Sequence, residues 1–415
     1  MRISRPRAAW ESGFGVAMNR FLQRSVFVLS LGLLAVLIAG EFGLRAVRAG
    51  SSDDGAYKQI NVYQQVLKHI QAEYVTEPDM NEVTAGALHG LLETLDADSS
   101  YLTPAEYKLY KDHLTGGDAQ VGLTVSKRGG YAVVVSVLPG SPADKEHLID
   151  GEFIESIGGK STLELSLAMI RVMLEGKPGS ELTLSVIHPR KQDPEKVTLS
   201  RALPAVPALG EQQYENSSIL YLKPVVLTAA RVDEIASRLK GMAKNGNKKV
   251  LLDLRDVSGG EEAQGERLAN LFLKQGTLAT LSGQKVPTQT FTADPARFVT
   301  DAPLAVLVNR GTAGAAELTA AALADDKRAD LVGERTFGEG SVQKTIELPS
   351  GAAVILTVAT YSSPGGKKFL EDAVTPSILV ALTPEQEIEE DESGAPPKAD
   401  APLDKALQVL KAKAA

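Results

Sequence analysis

The chain contains no cysteine. That excludes a disulfide framework, a thiolate nucleophile, a thiolate metal site and a lipid-modified N-terminal cysteine. Its five histidines (His69, His89, His113, His147, His188) are scattered and show neither HExxH nor HxH spacing, so no metal and no cofactor is expected. An excess of basic residues is also missing. Lys and Arg number 44 against 52 Asp and Glu, a formal charge of −8, which argues against nucleic acid as a partner because phosphate binding needs a basic face. What is present is globular in composition, with 43% hydrophobic and 23% charged residues. A chain of 415 residues is too long for one ordinary core, so two or three domains are expected.

The N-terminus reads as an address. Arg2, Arg5, Arg7, Arg20 and Arg24, together with the sole tryptophan, Trp10, form a basic leader over residues 1–24. An uncharged run, SVFVLSLGLLAVLIAG, follows and extends past Glu41 to Leu44. It is short but adequate for a membrane helix over residues 25–44. The preceding positive charge predicts a cytoplasmic N-terminus and a periplasmic or otherwise extracytoplasmic bulk. A cleaved signal peptide is the rival reading, with small residues at Val47–Ala49 for the cut, and the long leader favours an uncleaved anchor.

Residues 56–114 carry helical periodicity, with Asp98–Ser100 as a turn and Thr103 and Glu106 as the capping box of a further helix. Residues 115–203 hold short β-rich runs broken by Gly-Gly and Pro-Gly turns, one helix over Leu163–Leu174, and two closing strands, a small α+β module. Pro204–Gly210 is a linker. Over residues 211–383 strands alternate with helices, which predicts crossover units and a partly parallel sheet, and the stretch from Leu348 to Ser363 has the look of a hairpin. An acidic, Pro-rich tail over 384–402, whose run Glu385–Glu392 reads as a solvated face, leads to an amphipathic helix over 403–415.

Six segments, in order, resemble the C-terminal processing peptidases, tail-specific serine proteases of family S41 with an inserted PDZ domain. They are GLLETLDADSSYLTPAEY, VGLTV with VLPGSPADKEHLIDGEFIESIGGKS, LEGKPGSELTLSV, VLLDLRDVSGGEEAQGERLANLFL, VLVNRGTAGAAELTAAALADDKRADLVGERTFGEGSVQ and DAVTPSILV. The resemblance implies an α+β and α/β multidomain chain: a membrane helix, a helical segment, an inserted PDZ domain and a mixed-sheet S41 domain of ClpP/crotonase-like fold.

The same comparison exposes three departures. Where the family pattern has its attacking Ser, within G-[ST]-A-S-A-S-E, this chain has Gly314, and a further Ser position is Ala316. Where the pattern has its Lys base, within TFGKGSVQ, this chain has Glu339. The Gln that orients that Lys is matched by Gln343. The family's NPGG is matched by Val257-Ser258-Gly259-Gly260, so Gly259 and Gly260, with Ala315, are the oxyanion-hole candidates. A Ser–Lys dyad needs a placed hydroxyl and a neutral amine. Glycine supplies neither hydroxyl nor acyl acceptor, and a carboxylate opposes the developing oxyanion. Thr312, Ser341 and Lys344 are the residues from which a rearranged site would have to be built.

For the PDZ-like module, peptide binding requires a strand edge, a backbone loop for a carboxylate and an apolar pocket. Val121, Gly122, Leu123 and Val125 are the loop and strand candidates. Leu167, Ile170 and Leu174 are pocket candidates, with a plain core role as the alternative. The expected function is therefore that of a membrane-anchored, inactive S41 homologue that binds peptide or protein C-termini, or partners an active homologue or itself. The alternative is an active serine endopeptidase with a rearranged site.

Overall fold

The computed structural model describes residues 53–114, 119–188, 193–381 and 400–414, and divides the chain into two units, Met1–Val83 and Thr84–Ala415. The basic leader, the apolar run 25–44 and Glu385–Glu392 lie outside the described residues. Among the described residues no helix is long and apolar enough to cross a membrane. The first unit contributes helix α1 (Asp53–Glu73). Helix α2 (Met80–Glu93) leads into the second unit.

There, β1 (Ser100–Leu102) precedes helix α3 (Pro104–Leu114). The α3 start follows from the capping box: Thr103 N–H donates to Glu106 Oε2 at 2.8 Å, and Glu106 N–H donates to Thr103 Oγ1 at 3.3 Å. The expected turn at Asp98–Ser100 is shorter than read. Asp96 accepts from Ser99 N–H at 2.7 Å and closes the turn early, which frees Ser100 to pair with Ile355. The helical reading of 56–114 thus contains one strand, visible only through its distant partner.

The small module is a six-stranded antiparallel sheet: β2 (Leu123–Arg128), β3 (Tyr131–Val137), β4 (Phe153–Ile157), β5 (Lys160–Ser161), β6 (Glu181–Ile187) and β7 (Glu195–Ser200). Its path runs β2-β3-β4-β6-β7, so β2 is an edge. Helix α4 (Leu167–Leu174) packs on it. The expected helix over Leu163–Leu174 starts four residues late, because Ser166 caps it by accepting from Met169 N–H at 3.3 Å. The Thr162 hydroxyl meanwhile donates to the Ile154 carbonyl at 2.5 Å, tying the preceding residues to β4.

The larger domain is built on a second six-stranded sheet. Its strands are β8 (Gly210–Tyr214), β9 (Ile219–Lys223), β10 (Lys249–Asp253), β13 (Leu304–Val308), β14 (Ala329–Gly333) and β17 (Ile378–Leu379), in the order β17-β14-β13-β10-β9-β8. All its pairs are parallel except β8–β9. Side chains alternate across it. Leu220, Leu222, Val250, Leu252, Leu304 and Val306 face one core with helices α5 (Ala229–Gly241), α6 (Glu262–Asn270) and α7 (Ala315–Asp325). Ile219, Tyr221, Leu251, Ala305 and Leu307 face the other, covered by Ala406 and Leu410 of helix α8 (Ala401–Ala412). A parallel sheet needs both faces covered, and the C-terminal helix supplies the second cover. It begins two residues before the expected start at 403, capped by Asp400, which accepts from Leu403 N–H at 3.0 Å. Arg255 clamps the same Asp400 at 2.8 Å and the fully buried Asp253 at 2.7 Å. Burial opposes the charge on Asp253, but the guanidinium outweighs it and the carboxyl titrates below its ordinary range.

The third sheet is antiparallel. It joins β1, β16 (Ala353–Ser362), β11 (Thr277–Ser282) and β12 (Gln289–Thr292), with β15 (Ser341–Glu347) paired to β16. The hairpin expected over Leu348–Ser363 is displaced: that stretch holds a turn and the single strand β16, whose antiparallel partner β15 precedes it. Besides β1, several strands were not legible: Gly210, expected in the linker, opens β8, and β11, β12, β14 and β15 went unread. The polar sequence GEQQY of β8 is an edge strand without apolar alternation.

Candidate active site

Strand β13 ends at Val308, and the turn that follows is held from below. The Thr312 hydroxyl donates to the Leu254 carbonyl at 2.8 Å, and Ala313 N–H donates to the Val257 carbonyl at 3.0 Å. The chain then turns at Gly314, with φ 56° and ψ −118°, and α7 begins at Ala315. A Cβ built on Gly314 meets nothing within 4 Å. The opening here is thus compatible with a side chain sterically, although the backbone angle strains any L-residue.

Glu317, fully buried, ties this turn to the stretch carrying Glu339. Its Oε2 accepts from Gly314 N–H at 3.2 Å and from Glu339 N–H at 2.7 Å. Its Oε1 accepts from Gly338 N–H at 2.8 Å and from the Thr336 hydroxyl. Positions 314 and 339, expected to act together, therefore share one carboxylate oxygen through their main-chain N–H groups. Burial pushes the Glu317 carboxyl up to about 7, with the Thr336 hydroxyl and the two loop N–H groups pulling against it.

The Glu339 side chain is 29% exposed and lies 3.7 Å from Arg171 Nη2 of α4. Burial raises its pKa to about 7; Arg171 opposes the rise, and Asp98 and Glu262 add to it. Glu266 is likewise pushed up to about 7 by burial and by Glu262. The second nitrogen of Arg171 reaches Asp98 at 3.2 Å, and Asp98 accepts from Ser341 Oγ at 2.9 Å. Gln343 donates to Ser341 Oγ at 2.7 Å. A polar relay thus runs Gln343–Ser341–Asp98–Arg171–Glu339 and joins the small module to the larger domain. Carboxylates dominate this site, an arrangement that disfavours an anion and leaves position 314 without an attacking atom.

The residues from which a rearranged site would be built are otherwise engaged. Thr312 is fully buried with its hydroxyl bonded to main chain, Ser341 is bound in the relay, and Lys344 is exposed on β15.

Among the oxyanion candidates, Gly260 has φ 126°, and a Cβ there would overlap the Leu227 carbonyl oxygen. Gly259 lines a groove of about 220 Å³ shared with Gly122, Leu123, Val226, Pro204 and Ser258. Ala315 opens α7 directly after Gly314, and its carbonyl oxygen sits where a Cβ on Gly265 of α6 would fall. Ser258 anchors the groove by donating to Thr124 Oγ1 at 2.9 Å and by a short contact with Ser136.

The peptide-binding candidates separate into two groups. Val121, Val125, Leu167, Ile170 and Leu174 are all at most 4% exposed and belong to one core cluster with Leu102 and Tyr107. Gly122 and Leu123 reach the groove. Gly122, at φ 87°, packs so closely on Ser141 that only glycine fits. Along the β2 edge, the Val125 carbonyl accepts from Arg171 at 3.5 Å, and Lys127 pairs with Glu93 at 2.7 Å and donates to the Leu165 carbonyl at 2.9 Å.

Arg171, Asp98, Glu317 and Ser258 were not singled out from the sequence. Arg171 had a signal: it is the one charge in LAMIRVML. Glu317 had another, as an acid at the third position of a helix that follows a glycine turn.

Residues 219–380 match the model of peptidase family S41. A carboxyl-terminal-processing protease of Synechocystis sp. is 32% identical over 71% of this chain and 70% of its own length. The carboxy-terminal-processing protease of Bartonella bacilliformis is 29% identical over 80% of this chain and 77% of its own. The chain belongs to peptidase family S41. Among solved structures, the photosystem II D1 C-terminal processing protease superposes with a TM-score of 0.64 at 25% identity, covering 76% of this chain and 86% of that one. The C-terminal processing proteases of S41 thus supply both the sequence relatives and the mixed α/β fold.

Proposed function

We propose that this S41 protein is catalytically silent and binds the C-termini of peptides or unfolded proteins through its small module, read as a PDZ domain. One observation carries the proposal. The main-chain N–H groups of positions 314 and 339 share a single oxygen of Glu317, which makes them neighbours at one site, and they hold a glycine and a carboxylate. Losing a nucleophile removes several orders of magnitude in rate, leaving what binding and the oxyanion donors provide. The engagement of Thr312 and Ser341 in other bonds speaks against a rearranged endopeptidase.

In this reading the peptide backbone adds to the outer edge of β2 and displaces the Arg171 bond to the Val125 carbonyl. Its carboxylate meets the loop at Gly122 and Leu123, and the residues that precede it run along β2 toward Val125. Leu167, Ile170 and Leu174 hold the module together. The apolar run 25–44 anchors the protein in a membrane with the bulk on the extracytoplasmic side, where it holds tails for, or competes with, an active homologue.

The test uses the full chain in detergent and an unfolded substrate with an apolar C-terminus. The wild type is expected to bind it without cleavage, and the double variant Gly314→Ser, Glu339→Lys to cleave it. Cleavage by the wild type, lost in Thr312→Ala or Ser341→Ala, would sink the silent reading. Absence of binding would sink the tail-holding role.

A further inference from the structure

A cleft of about 490 Å³ lies between α5 and α6 and shares no lining residue with the candidate active site. Its size is that of a small-molecule site, ~300–1,000 Å³. One wall is α5, where Val232, Ala236 and Lys240 follow one another a turn apart, with Asp233 beside them. Arg267 of α6 and Leu271, one turn on, form the second. The third is the chain from Ala296 to Val299. That wall is strapped to the end of α6. Val299 N–H donates to the Leu271 carbonyl at 2.9 Å, Asp294 N–H donates to Asn270 Oδ1 at 2.9 Å, and the Asn270 amide donates to the Asp294 carbonyl at 3.1 Å. The cleft is therefore built into the fold.

Floor and mouth differ in chemistry. Val232 and Leu271 are buried, and Ala236, Phe298 and Val299 are half-buried beside them. Around this floor stand three cations, Lys240, Arg267 and Arg297, against one acid, Asp233. Asp233 is engaged by Arg267 at 2.6 Å. Arg297 reaches Asp294 only at 3.7 Å, with both side chains more than half exposed, a weak pair. Lys240 and Arg297 thus make a positive mouth on a chain whose formal charge is −8. An apolar floor under such a mouth selects a ligand with an apolar body and an anionic end. The backbone decides what kind of body. The N–H groups of Ala296, Arg297 and Val299 already donate to Asp294 Oδ1, the Asp294 carbonyl and the Leu271 carbonyl, and none of the lining residues lies on a strand. A peptide's amides would be buried there without partners, whereas a hydrocarbon has none to satisfy. We infer that this cleft binds an aliphatic carboxylate, with its chain on Val232, Ala236, Leu271, Phe298 and Val299 and its head between Lys240 and Arg297.

Decanoate is the probe. Full-length protein in lipid nanodiscs, which avoid the competing chain of a detergent, is dialysed to equilibrium with labelled decanoate, and empty nanodiscs are subtracted. A single saturable site is expected. Octanoate, a shorter chain with less to bury, is expected to bind about tenfold more weakly, and decanol and decyltrimethylammonium to bind more weakly than decanoate. Lys240→Gln with Arg297→Gln, both exposed, is expected to weaken decanoate about tenfold while the denaturation midpoint stays in place. Location is read separately. The chain has no cysteine, so Ala236→Cys places a lone thiol on the floor. Decanoate is expected to slow its alkylation and to leave unchanged that of Ser237→Cys, at the exposed next position. A wild type without saturable binding overturns the proposal, as does decanol binding as tightly as decanoate, binding that the double variant leaves intact, or decanoate that leaves Ala236→Cys unprotected. Protection of that thiol by a peptide with an apolar C-terminus, and not by decanoate, assigns the cleft to chain ends and equally overturns it.

Discussion

The turn after β10 and the turn after β13 leave neighbouring strands of one sheet at the same end, and both carry glycines under different constraints. At Gly260, and at Gly265 just beyond it, an added Cβ would overlap the carbonyl oxygen of Leu227 or Ala315. These glycines are demanded by packing. Gly314 has open space where its side chain would be, and only its backbone angle favours glycine. The first turn is held to close tolerances by backbone packed on backbone. The second shows a position where nothing in the packing requires the side chain to be missing. Position 314 is thus the one of these glycines whose surroundings would accept a side chain.

That contrast can be broken by substitution. Gly265→Ala forces backbone against backbone and Gly260→Ala adds positive φ, so each is expected to cost about 3 kcal/mol or more in denaturant unfolding. Gly314→Ala meets only the angular strain, about 1–2 kcal/mol. Equal losses at the two turns would remove the distinction.

The ionised relay gives the next largest effect. Arg171→Met removes the cation beside Asp98 and Glu339, and a loss of about 1–2 kcal/mol at pH 8 is expected, discounted for the partial exposure of Arg171. The loss should shrink toward pH 5, where Glu339 is protonated.

The pH dependence itself follows from the raised carboxyls. Glu317, Glu339 and Glu266 titrate near 7 when folded against 4.5 otherwise. The folded state binds more protons between those values, so their contribution is full below about pH 4.5 and is lost as pH rises through about 7. Stability is expected to fall across that window. Glu339→Gln should flatten the fall by about 1–2 kcal/mol. A flat profile in the wild type would contradict the burial argument. The smallest effect is expected at Lys344→Ala, exposed on β15, within about 0.5 kcal/mol and without influence on cleavage by the Ser–Lys double variant. A large effect there would reopen the rearranged site.

Much of this was legible from local pattern. The resemblance to the family's two motifs aligned Gly314 and Glu339, because both motifs are short and local in the chain. The capping box at Thr103 and Glu106 was legible for the same reason: its partners are three residues apart. The Asp98–Ser341 bond spans 243 residues, and Ser258–Thr124 spans 134. No periodicity encodes contacts of that kind. Strand β1 and edge strand β8 were missed because they owe their conformation to β16 and β9.

By itself, then, the sequence determined the family, the glycine at 314, the carboxylate at 339 and the main helices, since each is written in residue identity or short-range spacing. Tertiary structure alone decided that Leu167, Ile170 and Leu174 are core, that Arg171 reaches across to Glu339, and that burial lifts Glu317 and Glu339 toward neutrality. Burial and proximity are properties of the packed chain, set by which distant surfaces exclude water together.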